Sequence, residues 1–499
     1  MVKPVCLVIP PSCFLLDERV FMSLGVLRVA AVLERAGVPV EILDLSGIMN
    51  YEEAVRFHAR HFSGWTYGIT ATTPQMPAVA RIVSVLREQI GLRLILGGPH
   101  VTLVHAAFKK GAARAGEALS RLKEMFDVLV AGDGEGAIFA AVAVEAPRLI
   151  DADDPKGPYF LTDARYESLP WAARHLVDVR SYHYSIDGVP ALSMIAQLGC
   201  PFACAFCGGR ESPMLRRIRT RSTESIVAEM AHLHEAYGVR GLMFYDDELN
   251  VNRQVVELMD AIAAMGIDWH LRGFVKAELF TDRQAEAMYR AGFRWLLVGF
   301  ESGSPRVLEN INKKATREDN TRCLRTARRH GLKVKALMSL GHAGESLRTV
   351  QDTEDWLLEE RPDDFDATVI TTYPGTPYYD RAVETTPGIW TYTARSGDRL
   401  HACETDFQGE AVYYKGIPGQ YKSFVFTDHL SADEIVALRD CLEADVRRQL
   451  GVPFNAGAPG VRYEASMGML PGHILRRSMT DHEQQRLLDW EPIPDFCGD

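Results

Sequence analysis

Cysteine is scarce in this chain, nine residues in 499, too few and too scattered to staple a secreted disulfide scaffold. Positive charge is in deficit as well. Lys and Arg number 55 against 66 Asp and Glu, a formal charge of -11, which argues against a general polyanion-binding surface and against nucleic acid as the partner. No stretch of 18 successive apolar residues occurs; the run AIFAAVAV ends far too soon to span a bilayer. The N-terminal MVKPVCLVIPPSCF lacks a long apolar region and a small-residue cleavage site, so a reducing, cytoplasmic location is expected. There is no repeat of fixed period and no low-complexity tract. What is abundant is core-forming sequence: 47% hydrophobic against 24% charged, in a length that suits about three domains.

The first 145 residues alternate strand-like and helix-like runs. PVCLVI (4–9), PVEILDL (39–45), YGITATT (67–73), LRLILGG (92–98) and DVLVAG (127–132) read as buried strands, and amphipathic segments such as 24–37 and 77–89 fill the gaps. That order predicts an α/β fold with a doubly wound, Rossmann-like parallel sheet whose ligands sit beyond the strands' carboxyl ends. Residues 146–190 read as an ordered linker. Alternation resumes at 191, with strands expected at 191–199, 241–247, 268–274, 294–302, 333–341 and 365–373 and five helices between them. Thr223 and Thr316 stand at N-cap positions, and Gly238, Gly266, Gly292 and Gly331 lie just past helix ends. Six units fall short of a closed eight-unit barrel, so a partial barrel over 191–384 is expected. A small C-terminal α+β lid or substrate-binding region, with a helix at 431–449, would occupy 385–499.

The sharpest signal is GCPFACAFCGG, which places Cys200, Cys204 and Cys207 within eight residues directly after a strand. Thiolates are soft ligands, and three of them leave one coordination position open, as in a differentiated [4Fe–4S] cluster. A structural zinc knuckle prefers a two-residue gap and four ligands; the first gap here is three residues and no fourth Cys or His is near. Three clustered free thiols are the plain alternative.

This loop resembles that of the radical S-adenosylmethionine (AdoMet) superfamily, whose core is a six-unit partial (β/α) barrel. The resemblance spans 191–373 and implies a [4Fe–4S] cluster on the three cysteines, with AdoMet on the fourth iron. It implies that Phe206 packs near the adenine. FYDDELNVNR resembles the family's acidic strand end and implies that Asp246 and Asp247 approach the AdoMet amino group, against the plainer reading of helix capping. GFESGSPRVLENINKKATRED resembles the fourth-strand signature, implying AdoMet contacts from Glu301 and Ser302, with Lys314 and Thr316 completing it. In SLGHAGES, Ala343 stands where proline is usual, while Gly341 and Gly344 can still make the turn.

Together, the two domains resemble the cobalamin-binding class of that superfamily, akin to its methyltransferases. SLGVLRVAAVLERAG, TTPQM, LILGGPHVT and GDGEGA carry the likeness, implying corrin contacts from Ser23, Thr72, Thr73, Gln75, Gly97, Gly98, His100 and Gly132. No Asp-x-His-x-x-Gly follows the first strand, only IPPSCF, so cobalamin is expected base-off. The implied function is a cobalamin-dependent C-methyltransferase acting on an unactivated carbon of a small molecule, with flavodoxin or ferredoxin as electron donor. A non-methylating cyclase, ring-contraction, oxidation or dehydration enzyme, and a non-catalytic cobalamin or cluster sensor, are the alternatives. Arg210, Arg216, Arg217, Arg219 and Arg221 offer phosphate contacts or barrel-rim salt bridges. Tyr182, Tyr184, Tyr413 and Tyr414 are candidate mouth residues, and Cys403 a candidate thiol against inert packing.

Overall fold

The computed structural model describes residues 4–12, 18–209, 211–409, 422–452 and 478–480; Arg210, Tyr413 and Tyr414 lie outside them. The first sheet contains β1 (Val5–Ile9), β2 (Val40–Asp44), β3 (Thr66–Thr70), β4 (Arg93–Gly97), β5 (Val128–Gly132) and β6 (Leu149–Ala152) in the order β2-β1-β3-β4-β5-β6. Every pairing is parallel. The sixth strand lies in the stretch expected to be linker. With four residues of mixed burial, it is too short to show a period. Gly132 allows its approach: at φ 106°, a Cβ there would sit 2.3 Å from the Ala152 carbonyl carbon. Strand order reverses between β1 and β3, so the crevice at their carboxyl ends is the topological switch point.

The second sheet starts with a hairpin of β7 (Ser185–Ile186) and β8 (Val189–Met194). Short strands β9 (Gln197–Leu198) and β10 (Arg219–Thr220) pair antiparallel, closing the base of the cysteine loop. From β8 the sheet continues through β11 (Gly241–Phe244), β12 (His270–Phe274), β13 (Phe293–Glu301), β14 (Lys333–Leu340) and β15 (Asp364–Val369), each parallel to the one before. Six parallel strands curl into a half-barrel with β15 at one edge and β7 at the other. Helix ends match the expected glycines: Gly238, Gly266, Gly292 and Gly331 all have positive φ. Thr316 caps helix Arg317–Arg329 with Asp319, but Ser222 rather than Thr223 caps Thr223–Tyr237.

Beyond the barrel, β16 (Val383–Thr386), β17 (Ile389–Thr393), β18 (Arg399–Cys403) and β19 (Val425–Thr427) make an antiparallel sheet. Helix Ala432–Leu450 buries Ile435, Leu442 and Val446 in the same core as Phe365 and Val369, and so covers the open β15 edge.

Buried polar contacts join the first sheet to the barrel. Arg219 donates to both Asp133 oxygens at 2.8 Å, and Ser212 donates to Asp153 at 2.7 Å. Arg28 and Arg221 bond the Ile195 carbonyl. Arg219 and Arg221 are thus buried on carboxylate and carbonyl partners, while the partly exposed Arg216 donates to the Pro201 carbonyl and the exposed Arg217 lies over Phe160. No described helix is long and apolar enough to cross a membrane.

Candidate functional site

The cysteine loop leaves β9 through Gly199, whose φ is 89° and where a Cβ would stand 2.1 Å from the Arg217 carbonyl oxygen. Only glycine fits that approach. Backbone bonds then pin the loop: Ala205 donates to Ile311, Tyr378 donates to Ala205, and Cys200 donates to Leu215. The Asn312 amide donates to the Ala203 carbonyl at 2.8 Å. Burial pushes the Cys200 thiol up to about 12 and Cys207 to about 11, and raises Cys204 as well. Metal ligation would replace those protons. Phe206 packs on Val307, Leu308 and Ile311 and meets the His342 ring edge-on at 5.2 Å. Phe202 lies 4.3 Å from the Lys276 ammonium.

The acidic strand end divides into two roles. Asp246, 1% exposed, accepts from the Ala196 and Gln197 N–H groups and so clamps β11 to the exit of β8. Burial pushes its carboxyl up to about 7. Asp247 accepts from the Gly199 N–H, and Glu248 lies close enough to Cys200 and Cys204 to raise both thiols. These last two carboxylates face the cysteine loop.

A register shift between Gly299 and Glu301 bulges β13 just where it leaves the sheet, and Glu301 takes the left-handed φ of 65°. Bulges re-aim a side chain; here the carboxylate turns into a buried chain of polar groups. Lys313 contacts it at 3.0 Å, Ser339 donates to it at 2.7 Å, Ser339 bonds His342 at 2.8 Å, and His342 bonds the Tyr378 hydroxyl at 3.2 Å. The Lys313 ammonium holds Glu301 below the usual carboxylate range despite burial. Burial holds His342 down to about 4, hence neutral. Gly299 makes the pair possible, since a Cβ there would stand 2.6 Å from a Glu301 oxygen. Ser302 is 1% exposed and bonds Thr353 and the Ser304 N–H, which fixes the strand exit.

On the first domain, the turns after β1, β3 and β4 meet. Gln75 donates to the Pro10 carbonyl and the Ser12 hydroxyl and accepts from Thr72. Thr73 bonds His100 at 3.0 Å, and burial takes His100 down to about 4. Gly98, at φ 94°, would place a Cβ 2.6 Å from the Thr70 hydroxyl, whereas a Cβ on Gly97 would meet nothing within 4 Å. Gly97 is thus the glycine that borders open space, and Gly98 and Gly132 serve the fold. Ser23 precedes helix Leu24–Arg35 without a capping side-chain bond.

These turns and the barrel's strand exits face one another across a cavity of about 490 Å³, with Thr72, Thr73 and Pro99 on one wall and Tyr245, Phe274 and Leu337 on the other. The expected contacts fall in two places. Cys200, Cys204, Cys207, Asp247 and Glu301 gather around the cysteine loop, while Thr72, Thr73 and Gln75 line the cavity. Tyr182 donates to Asp44 and Tyr184 lies in the barrel core; Cys403 ends β18, well apart in sequence from the loop.

The sequence profile of the Radical SAM superfamily matches residues 194–357. The chain carries a radical SAM domain. An uncharacterized methyltransferase of Pyrococcus horikoshii is 27% identical over 395 residues, covering 77% of this chain and 83% of that protein. The anaerobic magnesium-protoporphyrin IX monomethyl ester cyclase of Cereibacter sphaeroides is 26% identical over 331 residues, 62% of this chain and 52% of the cyclase. The solved structure of the radical S-adenosylmethionine methyltransferase TsrM from Kitasatospora setae, with cobalamin and a [4Fe-4S] cluster bound, has a TM-score of 0.62 at 18% identity. It covers 91% of this chain and 92% of that one. The likeness extends to the arrangement of both domains.

Within the radical SAM domain, the reading of residues alone missed Lys313, Ser339 and His342. Adjacent lysines are equal in sequence, and Lys314 was the one expected to matter. In the folded loop, Lys313 is 5% exposed while Lys314 points outward. The positive φ of Asn312 and Lys314 sets that choice, and no local pattern announces it.

Proposed function

We propose that this chain is a cobalamin-dependent radical AdoMet enzyme that methylates an unactivated carbon of a small molecule. The observation that carries the reading is the shared cavity, which joins the switch point of the first sheet to the strand exits of the radical SAM domain. The donor set fits an iron–sulfur cluster: three thiols on one pinned loop, close enough to raise one another's pKa. Among the described residues, no three His, Cys, Asp or Glu side chains gather around a single ion. The first domain fits a flat macrocycle, with Gly97 bordering open space and small or hydroxylated residues on the facing turns. When bound, the cluster would supply the electron that cleaves AdoMet, and cobalamin would supply the methyl group.

The chain's own residues do the rest. Cys200, Cys204 and Cys207 would hold the cluster with one iron open to AdoMet. Glu301, kept ionised by Lys313 and fixed by Ser339, offers a rigid acceptor at the barrel exit, and Asp247 and Glu248, both raised by burial, add carboxyl groups beside the cysteine loop that could accept from an ammonium. His100 is bonded internally to Thr73, and the turn after β1 carries no imidazole, so cobalamin would be held base-off. The barrel walls and the facing turns flank the cavity on two sides. Flavodoxin or ferredoxin would deliver electrons, and the cytoplasm is the location that suits such chemistry.

The test is anaerobic reconstitution with iron, sulfide, cobalamin, AdoMet and reductant, followed by cluster spectroscopy, 5′-deoxyadenosine assay and mass analysis of candidate small molecules. Product gaining one methyl group supports the proposal. Each of Cys200→Ala, Cys204→Ala and Cys207→Ala should abolish AdoMet cleavage and leave the first sheet folded. Normal cleavage after loss of any one thiol would sink the cluster assignment. Failure to bind cobalamin would sink the methyltransferase reading and favour a non-methylating radical reaction, the class to which the similar cyclase points.

A further inference from the structure

Lys276 is a buried cation for which the proposed reaction has no task. It stands two residues past β12 and is 2% exposed. The Asn250 side chain clamps its backbone on both sides: the Lys276 N–H donates to the amide oxygen at 2.8 Å, and the amide nitrogen donates to the Lys276 carbonyl at 3.0 Å. Val275 is tied in turn to the Leu297 carbonyl on β13. The side chain is held as firmly. Its ammonium donates to the Lys313 carbonyl at 3.1 Å, meets Glu278 at 3.0 Å and lies 4.3 Å from the centre of the Phe202 ring. Phe202 stands between Cys200 and Cys204, so the positive charge is fixed against the cysteine loop.

Burying an ion pair is unfavourable compared with apolar side chains of the same size, and methionine would cover the Phe202 ring without that penalty. What the charge adds is a field. Together with Lys313, Lys276 counters the rise of the Cys204 thiol, while the carboxylate end of its ion pair acts on Glu248 and Cys323. The ring contact and the effect on the thiol both place the positive end of the pair toward the loop. Lys313 is the other cation there, and it is engaged with Glu301. Asp247, Glu248 and Glu301 surround the same loop with carboxyl groups. Where acidic groups outnumber ammonium groups, each cation weighs heavily on any step that adds negative charge, because the effective dielectric is low.

We infer that Lys276 raises the reduction potential of the cluster proposed for Cys200, Cys204 and Cys207, its ammonium stabilising the added negative charge of the reduced state, and that Glu278 opposes it. The inference rests on the cluster reading above. In the step concerned, [4Fe–4S]2+ takes one electron from a donor of the flavodoxin or ferredoxin class and becomes [4Fe–4S]+; no bond forms and no proton moves. A unit charge about 10 Å from a redox centre, at an effective dielectric near 20, changes the ratio of reduced to oxidised centres by roughly tenfold. For one electron that factor is about 59 mV.

The potential is read without turnover, by electron paramagnetic resonance during an anaerobic redox titration of the reconstituted protein with no AdoMet added. Lys276→Met should lower the midpoint by about that amount, and Lys276→Arg should stay near wild type. Glu278→Gln should raise the midpoint, since it removes the opposing charge and leaves the ammonium in place. Opposite signs from the two partners of one ion pair are what a field produces; loosened packing has no reason to reverse sign between them. Glu278→Gln keeps the size and shape of the side chain, so the test stands even if Lys276→Met fails to fold. Shifts of the same sign, or no shift in Glu278→Gln, overturn the inference. An unchanged potential in Lys276→Met, with weaker AdoMet binding by equilibrium dialysis, would make Lys276 a ligand of the AdoMet carboxylate and overturns it too. Iron and sulfide analysis of the same samples separates the failures. If wild type holds its cluster and the shifts have the wrong signs, only the field role falls; if wild type holds no cluster, the underlying radical reading falls.

Discussion

Replacing Lys313 with methionine tests how the Glu301 centre is held. Glu301 is 8% exposed and Lys313 5%, and they meet at 3.0 Å. Removal of the ammonium leaves a buried carboxylate with the Ser339 hydroxyl as its remaining short donor, a change that costs about 3–5 kcal/mol when the charge must stay. The carboxyl has an escape, since it can take up a proton. From a usual pKa of 4.5, neutralisation at pH 7 costs about 3.4 kcal/mol at 1.36 kcal/mol per unit. That caps the penalty near neutrality, and the cap falls by about 1.4 kcal/mol for each pH unit below 7. In the variant the folded pKa of Glu301 rises above its unfolded value, so the loss should grow as pH increases from 4.5. Lys313→Met should therefore cost about 3 kcal/mol at pH 7 and about half that or less at pH 5.5. The double variant Glu301→Gln, Lys313→Met, with no buried charge at the pair, should recover most of the loss. Recovery stays incomplete because Glu248, pushed up to about 7 by burial, also loses the favourable field of Lys313. Urea unfolding followed by tryptophan fluorescence at several pH values measures these quantities. A penalty flat across pH 5 to 8, or a double variant no more stable than the single, would refute the reasoning.

Gly97→Ala should leave stability within about 1 kcal/mol and weaken cobalamin uptake, because its Cβ meets only open space. Gly98→Ala should cost about 1–3 kcal/mol through its positive φ and the clash with Thr70; thermal melts beside cobalamin titrations tell the two apart, and equal melting temperatures would count against the assignment. Electron paramagnetic resonance of protein-bound cob(II)alamin should show cobalt lines without nitrogen splitting, since His100 is buried and bonded to Thr73; a threefold splitting would refute base-off binding. Glu345, 2% exposed, accepts from Thr349 and the Gly341 N–H, and burial pushes its carboxyl up to about 7. The stability it contributes as a protonated group is fully present below pH 4.5 and lost as pH rises through 7, about 3 kcal/mol in all. Glu345→Gln should flatten that part of the unfolding free energy between pH 5 and 8, and an unchanged pH slope would show that the carboxyl is already ionised.

The cysteine spacing, the alternating runs and the glycine stops lie in the sequence because each depends on neighbours a few residues apart. Thiols at 200, 204 and 207 share one loop whatever surrounds them, and a positive-φ glycine ends a helix by its own backbone freedom. Six barrel strands were legible for the same reason: apolar runs between helices have one economical packing. The four-residue β6 was not, since it is held in the sheet by pairing with β5 rather than by any pattern of its own.

What the tertiary structure decided is which of several equivalent residues faces the chemistry. Lys313 and Lys314 are the same side chain one residue apart, and the bulge at Gly299–Glu301 together with the bent loop at 312–314 turned one inward and the other to solvent. Gly97 and Gly98 read alike, yet β3 closes on one and leaves the other beside open space. Asp246 and Asp247 are likewise adjacent, and the first is consumed by the backbone of Ala196 and Gln197, contributed by a strand some fifty residues earlier. Arg272 and Asp366, which line the cavity, had no sequence signal at all. Two strands separate their own, and only the curl of the sheet brings both to one cavity, because side-chain direction in a strand is local while the enclosure of space is not.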